Sequence, residues 1–102
     1  MASTINSTGT SSGLATTADA SGELELQGGG NTGIAIDATG NVSVGDGTLA
    51  TNATNGFLYV PTCAGTPTGT PTAKTGFMPI VVNTTNNKLY FYSSGSWRDV
   101  GP

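Results

Sequence analysis

The sequence predicts an all-β protein that completes its core by associating with copies of itself, and three observations carry that prediction. Thr, Gly, Ser and Asn make up half of the 102 residues, so turn formers and small polar side chains dominate. Only 9% of the residues are charged and 35% are hydrophobic, a balance unlike that of charge-rich disordered chains. The apolar residues that are present recur with period two in short runs, the pattern of half-buried strands.

Residues 1–21, MASTINSTGTSSGLATTADAS, offer Ile5 and Leu14 as their large aliphatic side chains among Ser, Thr and Gly. This composition predicts an extended N-terminal arm, disordered in isolation, that is either a flexible tail or a segment that orders on a partner, with Ile5 and Leu14 as the candidate attachment residues.

Residues 22–56 predict a Gly/Thr-rich β shaft. ELELQ places Leu24 and Leu26 on one face, GIAID does so for Ile34 and Ile36, and NVSVG for Val42 and Val44. GGGNT and ATG supply the turns, a spacing that fits a meander or a short β-coil. Asp46 to Asn55 reads as a connector. The large apolar residues of this half are too few to offset the entropy of ordering it, so the half is not expected to fold as a lone monomer. Packing of identical chains about an axis, with the six Leu, Ile and Val residues facing it, would cover both the apolar faces and the sheet edges.

Residues 57–102 predict an aromatic β-rich knob, since every Phe, Tyr and Trp lies after residue 56. FLYV reads as a strand ended by Pro61. PTCAGTPTGTPTAKTG, punctuated by Pro61, Pro67 and Pro71, reads as a partly polyproline surface loop. Pro79 to Val100 then gives three short strands, IVV, LYFY and WRDV, joined by NTTNN and SSGS. Alternation in the middle strand sends Leu89 and Phe91 to one face, expected to be the knob's own core, and Tyr90 and Tyr92 to the other. Tyr90, Phe91, Tyr92 and Trp97 are therefore candidates for knob core or partner binding, with at least one of the two tyrosines or Trp97 touching a neighbouring chain.

Residue chemistry narrows the function classes. There is no histidine and a single cysteine, Cys63, so an intrachain disulfide is excluded and a Cys/His zinc site has no ligand set. Nucleophilic catalysis lacks a histidine base, and no catalytic residue is assigned. Gly28, Gly30 and Gly33 satisfy GxGxxG, but strand and turn follow where a dinucleotide site needs a helix, so the glycines read as a turn and no cofactor is expected. Asp37, Asn41 and Asp46 read as turn formers, and no metal is assigned. Asp19, Glu23, Glu25, Asp37 and Asp46 leave residues 1–56 acidic, while Lys74, Lys88 and Arg98 against Asp99 leave residues 57–102 mildly basic. Neither half carries the basic stripe that nucleic-acid binding needs. No run reaches transmembrane length and MASTINSTGT lacks the features of a signal peptide, which predicts cytosolic synthesis without membrane insertion.

Two stretches resemble a known group of proteins. SSGLATTADASGELELQ followed by NTGIAIDATGNVSVG resembles the N-terminal region of tail-fibre-like virion proteins of tailed bacteriophages. NGFLYVPTCAGTPTGTPTAKTGFMPIVVNTTNNKLYFYSSGSWRDV resembles a terminal module of phage appendage proteins. The resemblance implies a homotrimer on the virion surface, attached at its N-terminal part to the major capsid protein or another virion protein and ending in a β knob. It implies no catalytic residue. The chain lacks the long shaft of a tail fibre, so a capsid decoration, cement or head-fibre protein is the leading expectation. A short tail fibre or spike whose knob binds a receptor or host-surface glycan is the alternative.

Overall fold

The computed structural model describes residues 2–7 and 14–101. These residues form nine strands and no helix, arranged as two open sheets in two units, Met1–Leu58 and Tyr59–Pro102. The all-β expectation holds. The boundary falls two residues beyond the expected one.

In the first unit β1 (Ser3–Ser7), β2 (Leu14–Thr17), β3 (Leu24–Gly28), β4 (Asn31–Ile36) and β5 (Val42–Val44) form a sheet of order β2-β1-β3-β4-β5. β1 pairs antiparallel with β2 and parallel with β3, so it is an inner strand. This corrects the extended arm expected over residues 1–21, of which residues 8–13 lie outside the described part. The physical reason is backbone pairing. A Ser/Thr-rich segment with one Ile has little to bury, yet between two strands its N–H and C=O groups are satisfied on both sides. The connection from β2 to β3 passes the start of β1, where Asp19 N donates to Ser3 Oγ (3.1 Å) and Ser3 N donates to Glu23 O (2.9 Å).

The turns follow from residue type. Gly29 and Gly30, both at positive φ, close the β3–β4 hairpin as a two-residue turn, which accounts for part of the GxGxxG pattern. Register then shifts: Leu26 faces Ile34 whereas Gln27 faces Thr32, so Gly33 is an extra residue in a β-bulge. Without the bulge Ile34 would stand opposite Glu25 on the polar side. The β4–β5 turn is built on Asp37, whose carboxylate accepts from Thr39 N, Thr39 Oγ1, Asn41 N and Asn41 Nδ2 at 2.8–2.9 Å.

In the second unit β6 (Thr62–Cys63), β7 (Ile80–Asn83), β8 (Lys88–Ser93) and β9 (Ser96–Asp99) form a sheet in sequence order. β6 is parallel to β7, and β7, β8 and β9 make the expected antiparallel meander. Residues 57–60 belong to no strand, contrary to expectation. FLYV has strand composition, but it spans the boundary between the units and finds no partner strand there.

Candidate functional site

The strand register of the first unit assembles an apolar face. Val42, Ile36, Leu24 and Ser3 form one row across neighbouring strands, and Val44, Ile34, Leu26 and Ile5 form the next. Directly opposed residues share a face, so Leu24, Leu26, Ile34, Ile36, Val42 and Val44 stand on one side of the sheet together with Ile5 and, from the edge strand, Leu14. The other side carries Glu25, Gln27 and Thr32, linked by Gln27 Nε2 to Glu25 Oε2 (3.0 Å) and Thr32 Oγ1 to Glu25 Oε2 (3.2 Å).

Among the described residues of the unit, none forms a second layer over the apolar face. Leu26 is 40% exposed although it lies on an inner strand, Val44 is 50% and Val42 63% exposed. Among the described residues of the whole chain, only Ala2, Asn83 and Tyr90 are buried. A single layer with one apolar face is the arrangement that a second layer ordinarily completes.

Ile5 and Leu14, expected on a free arm, are separated by this geometry. Ile5 joins the inner apolar row beside Leu26, while Leu14 sits on edge strand β2 and is 67% exposed.

In the second unit Tyr90, Tyr92 and Trp97 stand on the packed face of the sheet. Val81, Tyr90 and Asp99 are in register, as are Tyr92 and Trp97, and Tyr90 is buried. The Tyr92 and Trp97 rings meet edge to face at 5.3 Å. Trp97 Nε1 donates to Gly69 O at 2.7 Å, which ties the proline-rich loop down onto the sheet. Buried Asn83 reinforces this: its Oδ1 accepts from Gly65 N (3.1 Å) and Thr85 N (2.9 Å). Hydrogen bonds from Asn86, Thr66 and Asn83 lower the Tyr90 phenol pKa against the opposing effect of burial.

Leu89, expected in the knob's own core, is instead on the open side and 38% exposed, in register with Val82. Phe91 shares that side with Ile80 and Arg98 and is half-buried. The loop selects the other face because its backbone has no strand to pair with and needs polar partners. The Trp97 N–H and the Asn83 amide provide them, whereas Leu89 and Phe91 offer none. Sequence reading missed Asn83 because an Asn before a turn looks like an ordinary turn residue.

Beside the loop, Pro71, Phe77, Met78, Pro79 and Tyr92 line a shallow groove, with Phe77 77% exposed. Lys74 and the hydroxyls of Thr70, Thr72, Ser93 and Ser94 add polar groups to the same groove. Across the sheet, Lys88 Nζ pairs with Asp99 Oδ2 at 2.8 Å, which raises the lysine pKa and lowers that of the carboxyl.

Among the described residues no three His, Cys, Asp or Glu side chains gather to hold a metal. Cys63 is half-buried, and its Sγ donates to Gly65 O at 3.3 Å. Among the described residues no helix is long and apolar enough to cross a membrane. No protein-family model, curated protein or solved structure matches this chain.

Proposed function

We propose that the protein is a structural component of a tailed-bacteriophage virion, a homotrimer that decorates or cements the capsid or stands on it as a head fibre. The observation that carries the proposal is the exposed apolar face of β3, β4 and β5 in a chain whose described residues include almost no buried core. Three copies with these faces turned to a common axis would bury Leu24, Leu26, Ile34, Ile36, Val42 and Val44 together. The phage assignment rests on the resemblance of the two sequence stretches quoted above. Attachment to the major capsid protein or another virion protein would then draw on the exposed edge around Leu14, with synthesis in the host cytoplasm preceding assembly.

Light scattering on the purified protein tests the assembly. A mass of three chains is expected, and a folded monomer overturns the proposal. Labelling the protein on intact particles tests the location, with signal over the head expected.

The groove around Phe77 and Met78 favours one other reading, a short tail fibre or spike that binds a receptor or host-surface glycan. Phe77→Ser would then abolish host binding at unchanged oligomeric mass. Unchanged binding removes this reading.

A further inference from the structure

Asn55 is the one asparagine in the chain that is followed by glycine. Both residues are exposed and line a polar cleft with Asn31, Thr32 and Asp46, in the loop that leads out of the first sheet. We propose that Asn55–Gly56 is a self-modification site, at which the chain converts spontaneously to isoaspartate and aspartate.

In the step, the backbone nitrogen of Gly56 loses its proton and attacks Asn55 Cγ. A Gly56 N–Cγ bond forms, the Cγ–Nδ2 bond breaks, and the amide leaves as ammonia with the released proton. Water then opens the resulting five-membered imide at either carbonyl, leaving a carboxylate where a neutral amide stood. Only water is consumed, and no electrons are transferred.

Three features single out this asparagine. Gly56 has no Cβ to shield its nitrogen, and among the described residues no acceptor takes its N–H. The leaving amide is barely held, since Asn55 Nδ2 reaches Thr54 Oγ1 only at 3.4 Å. Neighbouring asparagines lack this combination. After Asn52, Ala53 carries a Cβ and its N–H donates to Ala50 O at 3.1 Å; after Asn83, the Thr84 N–H donates to Cys63 O at 2.9 Å.

The fold also favours glycine at the second position of the pair. Gly56 has φ +93°, and a Cβ there would come within 2.9 Å of Leu49 Cδ2, so a side chain at this position is strained. The new carboxylate lines the same cleft as Asp46, so the conversion places a second negative charge there.

The test is to age the assembled wild-type protein in mildly alkaline buffer and map isoaspartate by peptide mass spectrometry. Conversion at Asn55 should run at least about tenfold faster than at Asn52 in the same loop, a barrier difference of about 1.4 kcal/mol. Isoelectric focusing should show a matching shift to a more acidic band, lost in Asn55→Gln. Equal rates at Asn52 and Asn55, or an acidic band that persists in Asn55→Gln, overturns the proposal.

Discussion

Asn83 accepts hydrogen bonds from Gly65 N and Thr85 N while almost wholly removed from water, so its amide joins the proline-rich loop to both β7 and the turn that follows it. Asn83→Ala leaves both donors without that acceptor and should cost about 1–3 kcal/mol in denaturant unfolding. Trp97→Phe keeps a ring beside Tyr92 but drops the donor to Gly69 O, and should cost about 0.5–1.5 kcal/mol. The same substitution should speed proteolysis within residues 64–79. Asp37 gives the pH dependence. Hydrogen bonds from Asn41 and Thr39 hold its carboxyl far below the ordinary value of 3.8. A depressed folded-state pKa stabilises the fold fully above the unfolded value, and that stabilisation is lost as pH falls through the folded one. Acid titration should therefore erode the stability contributed by the β4–β5 turn progressively as pH falls from the ordinary carboxylate value of 3.8, with the loss complete only below the folded-state value. Asp37→Asn should remove this acid-sensitive contribution, as read by melting temperature against pH.

Each hairpin sets which side chains share a face. The β8–β9 turn uses Ser94 and Gly95, both left-handed at φ 53° and 81°, and Ser is not the residue such a turn prefers. In the β3–β4 hairpin a two-residue turn and the apolar alternation disagree by one position, and the bulge at Gly33 reconciles them. Deleting Gly33 should therefore be tolerated, because a regular ladder would still set Ile34 opposite Leu26. Deleting Ala35 should not be, since it turns Ile36 to the polar side beside Glu25 and forfeits about 2 kcal/mol of apolar burial. Thermal unfolding of the assembled protein checks both variants. The Pro79–Val100 meander was legible in the sequence because its polar turns and β-branched runs are all local signals. The inner strand β1 was not, because its place depends on hydrogen bonds to β2 and β3, which residue type does not encode.

Each unit is built on a single sheet, and that of the first leaves its apolar side open among the described residues. Leu26→Asp places a charge in the centre of that side, next to Ile5 and Ile34. If copies pack there, burial of that carboxylate is unfavourable and light scattering should report a smaller mass. An unchanged mass would move the interface elsewhere, with the exposed Phe57 and Leu58 as the next residues to substitute.

The sequence by itself determined the strand class, the turns of the second sheet and the identity of the six residues that line one side of the first. Periodicity and turn chemistry act over a few residues, so one chain read in order contains them. Only the tertiary structure decided that the segment 3–7 is an inner strand, that Gly33 is bulged, and that Tyr90 and Trp97 rather than Leu89 face the loop. Those outcomes depend on where distant backbone groups find hydrogen-bond partners, and alternation marks the two faces of a strand without saying which of them another segment will cover.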